Sequence, residues 1–145
     1  MTKVKFCGLR RPEDIAAANR LQPDYIGFVF AAASRRCISP DTAAALRAQL
    51  APGITAVGVF VDAEPSAVAA LLQRGVIDMA QLHGHEDAAY IARLRALSPQ
   101  SILQAFRIRT ESDVQRANAS SADWVRLEAL FSSSARNRLQ SSAPG

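Results

Sequence analysis

Cys7, Arg36, His83 and Glu128 are the side chains in this sequence whose types and neighbours could do chemistry. Cys7 lies close to Lys5 and Arg10. A thiolate is a competent base, and a nearby cation favours the thiolate; the alternative for a strand cysteine is a small buried hydrophobe. Arg36 follows Ser34 and Arg35. A guanidinium fork matches a planar carboxylate, whereas an arginine pair in a loop is otherwise a solvated surface. His83 could line a pocket, orient a neighbour or sit satisfied as a structural residue. His83 and His85 are two positions apart and would point to opposite sides of an extended segment, which argues against a shared metal site. His85, beside Glu86, reads as the start of a helix. Glu128 supplies a carboxyl group close to Arg126, a charge unexpected inside a strand. Cys37 lacks such neighbours and reads as structural.

These residues need a scaffold, and the hydrophobic pattern supplies one. Short β-branched runs alternate with alanine- and leucine-rich stretches of helical spacing, the βα rhythm of a parallel sheet. The spacing predicts strands over Val4–Cys7, Tyr25–Phe30, Thr55–Val61, Met79–His83, Ile102–Ile108 and Trp124–Leu127. Most are near-continuous apolar runs, as strands covered on both faces require. Pro12, Pro40 and Pro65 each suit a first helical turn, with Glu13, Asp14 and Asp41 at the positive end of the helix dipole. Ser39 reads as an N-cap, and Thr110 with Asp113 as a weak capping box. Gly75 and Ser98-Pro99 read as helix stops. On this reading alone, Cys7, Arg36, His83 and Glu128 fall at or just after strand ends.

Composition narrows the function classes. The 145 residues are 49% hydrophobic and 21% charged, enough for one domain with a core. No apolar run approaches the roughly 20 residues that span a bilayer, and MTKVKFCGLR is not followed by a secretory h-region. A cytoplasmic protein without a membrane partner is expected, its two cysteines kept as thiols. The net charge is +4, but the 17 basic residues are spread among 13 acidic ones, with neither an aromatic-rich basic stretch nor zinc-finger spacing. Nucleic acid is therefore not the expected partner; an anionic small molecule is.

Several blocks, taken in order, point to a family. VKFCGLRRPEDI, DYIGFVF, SRRCISPDTAAAL, VGVFVD, MAQLHGHED and ADWVRLEA resemble successive strand and loop segments of the phosphoribosylanthranilate isomerases, enzymes of tryptophan biosynthesis. The likeness spans residues 3 to 129. It implies an α/β fold, the (β/α)₈ TIM barrel, with the active site on loops at the C-terminal ends of the strands. It also implies an Amadori rearrangement of N-(5-phosphoribosyl)anthranilate, which needs an acid to open the sugar ring and a base to take a proton from C2. On the resemblance, Cys7 is the general base, Arg36 holds the anthranilate carboxylate, His83 lines the substrate site, and no cofactor or metal is needed. The family's general acid is an aspartate, where this chain has Glu128. The extra methylene matters, because a misplacement near 1 Å can cost roughly 100-fold in rate.

A second departure concerns phosphate. The family grips it with glycine-rich loops and a helix N-terminus, yet no glycine lies between Gly84 and Gly145. The expectation is a C-terminally truncated, partial barrel of five βα units plus a sixth strand over residues 1–131, followed by a disordered or poorly packed Ser-rich tail, 132–145. A short helix around Ala135–Gln140 is the alternative for that tail. Such a sheet would have two unpaired edges, so self-association through them, completion by a separate partner, or a product of a truncated or frameshifted gene are the outcomes to weigh, the last being the most economical. The functional alternatives are an isomerase and a non-catalytic half-barrel module that self-associates or completes a partner barrel. A different phosphosugar isomerase is disfavoured by the pairing of Cys7 with Arg36.

Overall fold

The computed structural model describes residues 2–129. The domain boundary expected at residue 131, the Ser-rich tail and its alternative helix lie outside the described residues. Six strands and five helices alternate: β1 Lys5–Cys7, α1 Pro12–Leu21, β2 Tyr25–Val29, α2 Pro40–Ala48, β3 Thr55–Phe60, α3 Pro65–Gln73, β4 Met79–Leu82, α4 Ala88–Leu97, β5 Ile102–Ile108, α5 Glu111–Asn118 and β6 Trp124–Ala129. All neighbouring strands pair in parallel, in the order β1-β2-β3-β4-β5-β6. This is the expected α/β half-barrel. Strand ends differ from the sequence reading by one or two residues, as frayed ends do.

Local chemistry explains where the helices begin. Pro12, Pro40 and Pro65 each open a helix. Ser39 Oγ accepts from Thr42 N–H at 3.1 Å. Thr110 and Asp113 form a full capping box rather than a weak one. The helix after β4 corrects the reading of His85: its N-cap is Asp87, which accepts from Tyr90 N–H at 2.8 Å, so His85 and Glu86 belong to the preceding loop. Asp113 carries a pH signature. The N–H groups of Arg109 first, then the Arg116 guanidinium and the Thr110 N–H, hold its carboxyl down at about 2. A carboxyl depressed in the folded state stabilises above its unfolded value and loses that contribution as pH falls through the folded one. Protection of the α5 amides, taken relative to their intrinsic exchange rates, is therefore expected to fall between about pH 4 and pH 2, and Asp113→Asn should flatten that dependence.

The helices pack against one face of the sheet. Ile26, Phe28, Ala56, Phe60, Ala80, Leu82 and Ile102 from the strands meet Ile15, Leu46, Val68, Leu72, Ile91 and Leu94 from the helices in one buried cluster. The other face follows from the register. Cys7 pairs with Gly27, Gly27 with Val57, Val59 with Gln81, Gln81 with Leu103, Ala105 with Arg126, and Arg107 with Glu128. Laterally paired residues share a face, so these side chains line the inner, barrel-type surface. A mixed row of cysteine, glutamine, arginine and glutamate is what a site needs and a core does not.

One feature of the sheet's lower end was not read from the sequence. Asp24, Asp78 and Asp123 each precede an even-numbered strand and accept an N–H at the start of the odd-numbered strand beside it: Val4, just before β1, at 2.7 Å, Ala56 at 2.8 Å and Ile102 at 2.8 Å. Arg47 grips Asp78 with two nitrogens, at 2.5 and 3.1 Å. The recurrence of Asp before Tyr25, Met79 and Trp124 was the signal. These aspartates sit at the end of the sheet opposite the loops that could carry chemistry, where barrels place stability.

Candidate active site

Cys7 ends β1 and is exposed. The chain turns at once through Gly8, whose φ of +84° suits glycine, and the N–H groups of Gly8 and Leu9 both donate to the Gly27 carbonyl, at 2.9 and 3.2 Å. A Cβ at Gly8 would fall inside the Arg36 side chain. Glycine is therefore needed twice here, for the turn and for the arginine that lies over it.

Arg36 leaves the segment between β2 and α2, where Cys37 bridges to Val29. Its Nη1 donates to the Cys7 carbonyl at 3.2 Å. The backbone carbonyl of Arg35 accepts from Arg10 Nη1 at 2.8 Å. The structure thus brings the Arg36 side chain against the end of β1. Cys37 is exposed, so its contribution is the backbone bridge rather than a buried side chain.

Across the inner face, His83 and Glu128 come together. His83 Nε2 stands 3.3 Å from Glu128 Oε2, close enough for an ion pair but not aligned as a hydrogen bond, which leaves that buried nitrogen without a hydrogen-bond partner. The other Glu128 oxygen faces Arg126 Nη2 at 3.5 Å. His85 points away, to Asp62 at 3.0 Å. The alternation expected of the two histidines holds. Close to His83 in the chain, Glu86 is a buried carboxylate that accepts from Asp62 N–H at 2.9 Å and Gly84 N–H at 2.8 Å and so ties two loops together.

Lys5 was noted in the sequence only as a neighbour of Cys7. It reaches across the inner face from β1 to β4, where its Nζ donates to Gln81 Oε1. Burial lowers its pKa, as does the charge of Arg126, while Cys7 and Glu128 act in the opposite sense. One inner surface therefore collects Lys5, Cys7, Gln81, His83, Arg126 and Glu128. The signal was available: Lys5 and Cys7, Gln81 and His83, and Arg126 and Glu128 are spaced by two within strands, hence on one face. A cavity of about 680 Å³ lies to one side of this cluster, lined by His83, Gly84, Glu86, Arg107, Arg109 and Ser120 among others. It shares only its His83 edge with the cluster, and the chemistry follows the convergent side chains rather than the volume.

The arrangement offers a thiol, a guanidinium and a carboxyl around one strand-end rim, the parts of a proton-transfer site for a carboxylate-bearing substrate. Comparison with known proteins gives the family. The sequence profile of the family described as N-(5'phosphoribosyl)anthranilate (PRA) isomerase matches residues 4–136. The chain belongs to the phosphoribosylanthranilate isomerase family. The N-(5'-phosphoribosyl)anthranilate isomerase of Endomicrobium trichonymphae is 38% identical over 132 residues, a match covering 91% of this chain and 64% of that protein. The one from Clostridium kluyveri is 39% identical over 128 residues, covering 88% of this chain and 62% of the relative. Among solved structures, the phosphoribosyl anthranilate isomerase of Thermotoga maritima superposes with a TM-score of 0.81 at 29% identity, covering 92% of this chain and 64% of that one. A phosphoribosyl anthranilate isomerase in complex with reduced 1-(o-carboxyphenylamino)-1-deoxyribulose 5-phosphate gives 0.80 at 30% identity, with 90% and 66% covered. The chain thus spans less than two thirds of the length of these relatives, and among its described residues it holds six strands of the family's barrel. No helix of the described residues is long and apolar enough to cross a membrane.

Proposed function

We propose that the chain serves tryptophan biosynthesis as an isomerase, converting N-(5-phospho-β-D-ribosyl)anthranilate to 1-(2-carboxyphenylamino)-1-deoxy-D-ribulose 5-phosphate. The observation that carries this reading is the meeting of Arg36 with the end of β1, which sets a carboxylate clamp beside the Cys7 thiol. A relative is solved with a ligand that carries both a carboxyphenylamino group and a sugar phosphate. The Arg36 fork would take the anthranilate carboxylate and fix the aromatic end. Glu128, across the face, would protonate the ring oxygen as the C1–O bond opens to an iminium. Cys7 would then take the C2 proton, giving the enolamine that ketonises to the product. His83 would line the same pocket beside Glu128. Proton removal and proton delivery balance, and the carbon skeleton is unchanged. The reading puts the activity in the cytoplasm, where an exposed Cys7 thiol stays reduced.

Complementation tests it. A tryptophan auxotroph lacking this isomerase should grow without tryptophan when it carries the chain, and growth should be lost with Cys7→Ala. Failure to grow with soluble protein present, or growth that survives Cys7→Ala, would refute the proposal.

A second reading is favoured by the outer strand of the described sheet. Trp124, Val125 and Leu127 of β6 are 58%, 42% and 56% exposed, and β6 pairs on one side only. An unpaired apolar edge is a template for another strand. On this reading the chain self-associates through that edge or completes a partner barrel. Sedimentation of the purified chain tests the first form of it: a monomer, unchanged by Leu127→Lys, removes self-association.

A further inference from the structure

Lys5 and Cys7 occupy alternate positions of β1 and so share its inner face. Both side chains fold over β2 at Gly27. A Cβ on Gly27 would stand 2.8 Å from Cys7 Sγ and 3.2 Å from Lys5 Cε. The one position of β2 without a side chain is therefore covered by two side chains of β1, and the lysine stem is brought alongside the thiol. The far end of that stem is fixed as well, because Nζ donates to the amide oxygen of Gln81, which is only 2% exposed. The Lys5 stem thus lies over Gly27 at Cε, and its tip is held by Gln81. The other charged or titratable groups on this inner surface are Tyr25 of β2, paired with Lys5, Arg36 from the segment after β2, His83 at the end of β4, Arg107 of β5, and Arg126 and Glu128 on β6. Of these, Arg36 reaches the Cys7 carbonyl, while His83 and Arg126 are turned to Glu128.

We propose that Lys5 is the positioning residue of the Cys7 base: laid across Gly27 and anchored on Gln81, its ammonium stands beside the thiolate and raises its reactivity. This rests on the reading of Cys7 as the base. It makes two sequence features parts of one device. Gly27 is glycine because a side chain there would separate the pair, and Gln81 is buried because it holds the lysine tip.

Alkylation of the thiol by iodoacetamide, followed peptide by peptide, tests this without turnover, with Cys37 as the control thiol in the same chain. Lys5→Met should lower the Cys7 rate at pH 7 by about threefold and move the rise of that rate to more alkaline pH, leaving Cys37 unchanged. The change is modest because losing thiolate is partly offset by the higher intrinsic nucleophilicity of a more basic thiolate. Lys5→Arg, which keeps the charge, should recover most of the rate. A Cys7 profile that Lys5→Met leaves in place would overturn the proposal. Should Cys37 also change, equal Cys7 rates in the methionine and arginine variants would overturn it in the same way. The two readings fail separately: turnover retained by Cys7→Ala removes the base and not the effect of Lys5, whereas unchanged alkylation removes the effect of Lys5 and not the base.

Discussion

Replacing Cys7 by alanine is expected to lower kcat/KM for the isomerisation by about 10²–10⁴-fold, the range that a positioned acid or base contributes. The loss should fall on kcat, because in the proposed mechanism the thiol acts on the C2 proton and contributes little to holding the substrate. Arg36→Gln should behave differently. A charged hydrogen bond of about 1.5–3 kcal/mol would be lost from both ground state and transition state, raising KM by about 10–150-fold with kcat less affected. Steady-state kinetics on the two variants checks the assignment. Equal effects on kcat and KM in both would mean that the rim is one structural unit rather than a base and a clamp. Glu128 is the sharper case for the acid. Its carboxyl reaches His83 at 3.3 Å and Arg126 at 3.5 Å with a side chain one methylene longer than the aspartate the family resemblance implies.

The largest expected effect on stability is at Phe28. It is fully buried on the helix-facing side of β2, in the cluster that joins the sheet to its helices. Phe28→Ala removes a large apolar side chain and leaves a cavity that parallel strands cannot close, at a cost of about 3–5 kcal/mol. Against a typical domain stability of about 5–15 kcal/mol, that is enough to populate the unfolded chain at 37 °C. Urea melts should show the midpoint falling with little change in slope. A loss below about 1 kcal/mol, on the scale of a volume-conserving swap, would mean that β2 is not held by its helix-side core. The position also matters for the site, because Gly27 beside it is covered by Lys5 and Cys7, and the segment after β2 carries Arg36.

Much of this was legible in the residues themselves. The strands, the helix starts at Pro12, Pro40 and Pro65, and the caps at Ser39 and Thr110 were expected where they occur. The helix start read at His85 was not, because Asp87 can accept from Tyr90 N–H and is the better cap. Cys7, Arg36, His83 and Glu128 were placed at strand ends by pattern alone, and the structure gathers them at the same end of the sheet. Lys5 was under-read for want of a partner. Nothing near it in sequence announces Gln81, 76 residues away.

The division has a physical reason. Strand and helix periods, caps and turns depend on residues within a few positions of one another, so the sequence by itself determined the six βα-type strands, their helices and which residues stand at strand ends. It also determined which residues share a face within a strand, since alternate side chains point the same way. Which faces oppose one another depends on parallel register, and that is decided by the packing of the whole sheet against its helices. Only the tertiary structure therefore decided that Arg36 lies on Gly8, that Glu128 meets His83, that Asp24, Asp78 and Asp123 tie strand to strand, and that Lys5 and Cys7 cross Gly27 together.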